Sequence, residues 1–104
     1  MYTQVSSKLA VAASGTEYSQ AVSMAGGNAI AVEATIFSGT MTVKYQESND
    51  LQNWTAAADL SPAISGSAGA YYGDATGIAA QYVRLQYDAS AAGVVAAGIN
   101  VAKL

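Results

Sequence analysis

The side chains that could do chemistry in this sequence are carboxylates and aromatics, because it contains neither histidine nor cysteine. Their absence excludes Ser-His and Cys-His nucleophilic systems and removes the commonest general base and zinc ligands. Asp59, Asp74 and Asp88 each lie near a predicted strand end or turn, and no spacing pairs two of them as a glycosidase requires. We therefore expect no enzymatic activity and no cofactor.

One polar segment, residues 47–53, places Glu47, Asn49 and Asp50 close together. A calcium loop usually arranges several carboxylates around a glycine turn, and this segment has no glycine and too few carboxylates. The alternative is a loop in which Asn49 and Asp50 hydrogen-bond their own backbone. We expect that alternative, and no bound metal.

Trp54 is the sole tryptophan, and the sequence contains seven tyrosines. Such rings could form a stacking platform for a sugar, with Trp54 accompanied by Tyr45, Tyr71, Tyr72, Tyr82 and Tyr87. An aromatic side chain beside a strand more often anchors a core or an interface, and we expect that role here. Tyr71 and Tyr72 are adjacent, so on a strand they point to opposite faces and at most one of them is core.

Charge excludes two classes of partner. Charged residues make up 11% of the chain, against about 25% in an average soluble domain. Four scattered cations and a net charge of −3 cannot provide the basic surface that nucleic acid or an anionic membrane requires. The low charge predicts instead a surface that packs against other subunits, and a neutral polar surface of Ser, Thr, Asn and Gln is the alternative.

The N-terminal segment lacks the basic region and apolar run of a secretory signal, and no stretch approaches the length of a transmembrane helix. We expect the protein to remain in the cytoplasm in which it is made, or to be released by lysis.

Alternation of apolar and polar residues predicts half-buried strands in residues 29–37, 40–46 and 81–87. No segment keeps a helical stripe over three turns, and residues 56–60 could form one helical turn at most. The side chains predicted to form the core are Ile30, Val32, Ile36, Val43, Val83, Leu85, Ile99 and Val101.

Turn signals at Gly26-Gly27, Ser38-Gly39, Ser61-Pro62, 65–69 and 88–93 separate the predicted strands. About eight strands follow, at residues 3–12, 17–23, 28–38, 40–47, 53–58, 69–74, 80–88 and 93–103. Strands at this spacing predict an all-β fold, an antiparallel two-sheet sandwich of jelly-roll type, in a single domain of residues 1–104.

Two stretches together resemble a known pattern: residues 43–55, with Ser48, Asp50 and Trp54-Thr55, and residues 82–87, which begin Tyr82-Val83-Arg84. The layout is similar to that of small β-sandwich proteins of tailed bacteriophages, and discoidin-like carbohydrate-binding modules carry a similar Ser-x-Asp…Trp loop. The pattern usually has glycine after the aspartate, where this chain has Leu51. By this resemblance, Tyr-Val-Arg lies on the penultimate strand.

Physical roles follow for three of these residues. Asp50 is expected to cap backbone amides of its loop, Trp54 to close the end of the core, and Arg84 to lie over an aromatic ring or to pair with a loop carboxylate.

The resemblance implies a virion structural protein, with a capsid decoration or head accessory role first and a tail or baseplate component second. A carbohydrate-binding module is the alternative. The expected partners are the major capsid protein or other virion subunits and further copies of this chain, with a trimer implied by decoration proteins as a class; the expected location is the virion, assembled in the host cytoplasm. The candidate interface residues are Ala31, Thr42, Trp54, Tyr71, Tyr72, Tyr82 and Arg84.

Overall fold

The computed structural model describes residues 2–104, and these form seven antiparallel strands without a helix. The strands are β1 (Tyr2–Val11), β2 (Thr16–Tyr18), β3 (Val22–Ser23), β4 (Ala29–Ser48), β5 (Ala58–Gly66), β6 (Gly69–Thr76) and β7 (Tyr82–Ala102). The all-β prediction is confirmed. Met1, the first residue of the predicted domain, lies outside the described residues. Over residues 2–104, no helix is long and apolar enough to cross a membrane.

Strands β4 and β7 form the centre of the fold, with 20 and 21 residues respectively. They pair antiparallel from Ala29 opposite Ala102 to Ser48 opposite Tyr82. The register shifts between Ile36 and Met41, where the pair bends. Each long strand is therefore divided into two halves that can face each other.

Glycines allow this bend. Gly39 has φ of 80°, and a Cβ atom there would lie 2.6 Å from the carbonyl oxygens of Ala91 and Ala92. A Cβ on Gly93, in the facing segment, would collide with the carbonyl oxygen of Ser38. Since a side chain at Gly39 would meet both strain and a clash, the two backbones approach this closely only through glycine.

The bent pair builds two layers. The first layer contains β1, residues 95–102 of β7, residues 29–36 of β4, and β6. The second layer contains β2 and β3, residues 82–89 of β7, residues 41–48 of β4, and β5. Buried side chains of both layers belong to one hydrophobic cluster, as in a β-sandwich.

The register shift between Ile36 and Met41 is a β-bulge, and it changes which residues of β4 are buried. Even-numbered residues such as Val32 and Ile36 face the core before the bend, and odd-numbered residues such as Met41 and Val43 face it afterwards. The predicted core is confirmed in both halves of both strands. Val101 is the least buried of the predicted set, half-exposed and packed against the edge of the cluster.

Several predicted strand boundaries are wrong. Ser38-Gly39 and residues 88–93 were expected to be turns, and both lie inside continuous strands because their glycines make a bulge rather than a reversal. The predicted strand at 17–23 is split into β2 and β3. Residues 53–57 are not a strand because they form the loop after β4, and β5 begins at Ala58.

Residues 56–60, which could have formed one helical turn at most, form none, since β5 begins at Ala58 and Ala58 and Asp59 pair with β4. Ser61-Pro62, expected to begin a turn, lies inside β5 and its peptide bond is cis. The β4 register jumps between Val43 and Lys44 opposite this segment, so Pro62 lies in an irregular part of the strand, where the missing N–H is tolerated.

Truncation of a core side chain tests the assignment of faces. Leu85→Ala should lower the free energy of unfolding by about 2–4 kcal/mol, because Leu85 is fully buried between the layers. Thr35→Val, on the outward side of β4, keeps a branched side chain and should change it by less than about 0.5 kcal/mol. Urea denaturation measures both, and equal effects would contradict the assignment.

The buried Tyr87 predicts sensitivity to alkali. Its hydroxyl donates a hydrogen bond to Ser6 Oγ at 2.8 Å, and burial raises the pKa of Tyr87 to about 12. An unfolded tyrosine has a pKa of about 10, so this group's contribution to stability is present below pH 10 and lost as the pH rises toward 12. Tyr87→Phe should cost about 1 kcal/mol at pH 7 and make the stability decline above pH 10 shallower, as measured by denaturation across that range.

Candidate functional site

The loop after β4 is organised by Asp50. One carboxylate oxygen accepts the backbone N–H groups of Asn53 and Gln52 at 2.8 and 2.9 Å, and the Ser48 hydroxyl at 3.1 Å. The other oxygen accepts the side-chain amide of Asn53 at 2.7 Å. The expected capping role of Asp50 is confirmed. Asn49 differs from expectation, because its side chain accepts the backbone N–H of Gln81 instead of a group in its own loop.

Leu51 occupies the position at which the resembled pattern has glycine, and its φ is 64°. This is the left-handed region that glycine enters without steric cost. The backbone therefore makes the turn that the pattern requires, even though the side chain differs.

The same hydrogen bonds hold the pKa of Asp50 well below its usual range, with the backbone N–H of Asn53 as the largest cause and that of Gln52 next. They favour the charged carboxylate over the neutral acid. Asp50 is therefore an anion held by protein donors, and its effect is to fix the loop.

The loop returns along β4 and places Trp54 against the second layer. Thr55 donates its backbone N–H to the Glu47 carbonyl at 3.0 Å, and its hydroxyl accepts the Glu47 N–H at 2.9 Å. The side-chain amide of Gln46 donates to the Thr55 carbonyl at 2.8 Å. These bonds hold Thr55 against Gln46 and Glu47 of β4, and so position the adjacent Trp54.

Arg84 lies between two aromatic rings on the outer face of the second layer. Its guanidinium carbon is 3.9 Å from the Tyr18 ring centroid and 4.3 Å from that of Trp54. Its Nε donates to Gln46 Oε1 at 2.8 Å. The prediction that Arg84 lies over an aromatic ring is confirmed. Trp54 does not close the end of the core as expected, because it stacks on Arg84 outside the sheet.

Other polar side chains on this face are also paired within the chain. Thr16 donates to Asp88 at 2.8 Å, Gln86 donates to both Asp88 oxygens at 3.1 Å, and Thr42 is 3.1 Å from the Ser65 hydroxyl. These side chains of the second layer are thus bonded within the chain, whereas those of Lys44 and Tyr82, on the same face, form no hydrogen bond within residues 2–104.

The seven residues predicted as interface candidates do not form one surface. Thr42, Trp54, Tyr82 and Arg84 lie on the outer side of the second layer. Ala31 and Tyr72 lie on the outer side of the first layer. Tyr71 packs against the core with its hydroxyl donating to the Ser67 carbonyl at 2.7 Å, and Tyr72 is 66% exposed.

A second group of side chains meets on the outer face of the first layer. One row across four strands is Tyr2, Asn100, Ala31 and Asp74, and the next row is Gln4, Gly98, Glu33 and Tyr72. The Tyr2 ring lies over Gly98, since a Cβ atom on that glycine would collide with the Tyr2 hydroxyl and ring.

The small Ala31 side chain leaves a cavity of about 200 Å³, here called the tyrosine cleft and lined by Tyr2, Ala31, Val32, Glu33, Tyr72, Asp74 and Asn100.

The tyrosine cleft differs from the second layer in its hydrogen bonding. Within residues 2–104, the side chains of Tyr2, Glu33, Tyr72, Asp74 and Asn100 form no hydrogen bond or ion pair with one another or with the rest of the fold. Sequence reasoning identified Ala31 and Tyr72 and missed the others as partners, because they lie on four strands separated by up to 98 residues in the chain. Local alternation shows only that Glu33 faces outward.

No family model and no curated protein matches this sequence. Solved structures share its fold at low identity. The SPBc2 prophage-derived protein YomS is 13% identical with a TM-score of 0.67, and the match covers 98% of this chain and 92% of YomS. The PBSX exported protein XepA is 14% identical with a TM-score of 0.72, and the match covers 100% of this chain. PirA is 17% identical with a TM-score of 0.57, covering 95% of this chain and 94% of PirA.

This chain spans 37% of the length of XepA, so the fold forms only part of that protein. At these identities the similarity shows the fold alone. The resemblance to phage β-proteins stated from the sequence is thereby confirmed at the level of fold.

The Asp50 cap predicts an acid-sensitive contribution to stability. A folded-state pKa below the unfolded value of about 3.9 stabilises the fold above pH 4, and that contribution is lost as the pH falls through the folded pKa. Asp50→Asn should therefore be less stable than the parent protein at pH 7, and the difference should narrow as the pH falls from 4 to 2. Thermal denaturation over that range measures it, and a constant difference would contradict the assigned role.

Proposed function

We propose that this chain is a virion structural protein of a tailed bacteriophage, a capsid decoration or head accessory subunit that stabilises the shell through protein–protein contacts. The observation that carries the proposal is the outer face of the first layer, where two exposed tyrosines flank small side chains and unpaired polar groups. The exposed tyrosines favour an interface here, because tyrosine is enriched at protein–protein interfaces, and lysine, which is depleted there, is absent from the residues that line this face's cavity.

Contact through this face is favoured over pairing of strand edges. Along β1 the register shifts between Gln4 and Ser6 and again between Ser6 and Leu9, and Lys8 within that irregular stretch has φ of 53°. An irregular, lysine-bearing edge strand is a poor template for another strand. A neighbouring subunit would therefore pack on the face of the first layer rather than extend it by pairing with β1.

The fold comparisons support a phage origin. YomS is named as derived from a prophage and XepA as a protein of PBSX, and both share this fold. The proposed partner is the major capsid protein or another virion subunit, with the chain in a symmetric homo-oligomer such as a trimer, assembled in the host cytoplasm. Binding of this kind stabilises the assembled shell by mass action, because it favours the assembled state over the dissociated one.

A tail or baseplate role would use the same kind of contact, and copy number separates the two. A decoration protein should co-purify with intact heads at a number of copies proportional to the major capsid protein, whereas a tail component should be found in far fewer copies. The proposed function should be dropped if the protein never sediments with particles at all.

The carbohydrate-binding alternative depended on Trp54 as a stacking platform. In the structure one side of Trp54 is occupied by Arg84 and the residue is half-buried, so the ring has less free surface than a platform needs. A glycan array with Trp54→Ala as control tests this alternative directly.

A pair of charge substitutions tests which face makes the contact. Ala31→Glu should reduce co-sedimentation with particles at least about tenfold, because an added carboxylate would be desolvated beside Glu33 and Asp74. Thr42→Asp places a similar charge on the second layer and should leave co-sedimentation unchanged. Circular dichroism should show both variants folded, and loss of binding only in Thr42→Asp would assign the contact to the opposite face.

A further inference from the structure

We infer that the tyrosine cleft is a receptor for an arginine side chain presented by the partner protein. This inference rests on the proposed function, and it adds the chemistry by which the partner is recognised. The cleft offers two tyrosine rings, the carboxylates of Glu33 and Asp74, and the Asn100 amide, around the small floor residue Ala31.

Charge complementarity points to a cationic occupant. Glu33 and Asp74 both line the cleft, and among residues 2–104 neither forms an ion pair. None of the four Lys and Arg side chains pairs with these carboxylates: Lys8 lies 5.8 Å from the centroid of the Phe37 ring, Arg84 is stacked on the second layer, and Lys44 and Lys103 form no ion pair within residues 2–104. A cation from outside the chain is therefore the group that this cleft lacks.

The second layer of the same molecule shows how such a cleft is filled. There a guanidinium lies between two rings, 3.9 and 4.3 Å from their centroids, and donates to the oxygen of Gln46. In the cleft, Tyr72 is two strand spacings from Gly98, over which the Tyr2 ring lies, or about 10 Å. The cleft thus has a tyrosine on either side of the Glu33 strand, with carboxylates in place of the Gln46 amide.

Size and shape favour one arginine over a sugar chain or a lysine. The cleft volume of about 200 Å³ lies below the roughly 300–1,000 Å³ of typical small-molecule sites, and it suits a single side chain. A planar guanidinium can stack on tyrosine and donate to two carboxylates together, whereas an ammonium is a compact, strongly hydrated charge. A neutral sugar would leave the negative charges of Glu33 and Asp74 uncompensated.

Titration with Nα-acetyl-L-arginine amide, followed by amide NMR of the full chain, tests the site. Shifts should concentrate in residues 31–33, 72–74 and 98–100 and should diminish with added salt, because the attraction is between charges. The citrulline analogue, similar in shape but neutral, should produce no saturable shift. Equal response to arginine and citrulline, or shifts confined to the Arg84 side, would overturn the inference.

Charge-removing variants provide the second measurement. Glu33→Gln and Asp74→Asn should each weaken probe binding about tenfold, since each removes a charge-assisted hydrogen bond. Glu17→Gln makes the same change in net charge on the exposed strand β2 and should bind the probe like the parent protein. If all three variants weaken binding equally, only the net charge matters and there is no site.

The same variants separate this inference from the proposed function. Co-sedimentation with particles that persists in Glu33→Gln and Asp74→Asn would retain the virion role and reject the cleft as its arginine receptor. Probe binding without any association with particles would retain the site and reject the virion role. Binding of a glycan, abolished by Tyr72→Ala, would replace the arginine side chain with a carbohydrate ligand.

Discussion

The bend in the β4–β7 pair is the constraint on which the rest of the structure depends. If the two strands of 20 and 21 residues continued straight and regular, the apolar residues in the two halves of β4 would lie on opposite sides of the ribbon, because they are even-numbered before the bend and odd-numbered after it. The close approach at Gly39 and Gly93 instead folds the ribbon so that its two halves bury their apolar sides against each other. Every other strand then adds to one half or the other, which gives the sandwich its two outer faces.

The sequence was sufficient to predict the all-β class and most of the core, because burial imposes a period of two that is visible locally in residues such as Val83 and Leu85. It was insufficient to predict where one strand ends and the next begins. A Ser-Gly pair between two alternating runs has the composition of a hairpin turn and also that of a bulge, and only the partner strand decides between them. Gly39 makes a bulge because Ala91 and Ala92 lie directly opposite it.

The same difference between local and distant information applies to the site. Asp50 could be assigned a capping role because all the groups that it binds lie within three residues of it. The position of Trp54 could not be predicted in this way. It depends on Arg84, thirty residues later in the chain, which also stacks on the ring of the distant Tyr18. For the tyrosine cleft the needed information is more distant still, since Tyr2 and Tyr72 become neighbours only after four strands have assembled.

The two outer faces use their polar groups in opposite ways, and this asymmetry bears on function. On the second layer Arg84, Gln46, Asp88 and Thr42 are bonded within the chain, so a partner docking there would have to break bonds or ignore them. On the first layer the sheet holds the backbones of Glu33 and Asp74 in position, and no bond within residues 2–104 would have to be broken for a partner to engage their carboxylates. Docking there costs the rotamer freedom of exposed side chains but no bond of the fold, which makes the first layer the better candidate for a recognition surface.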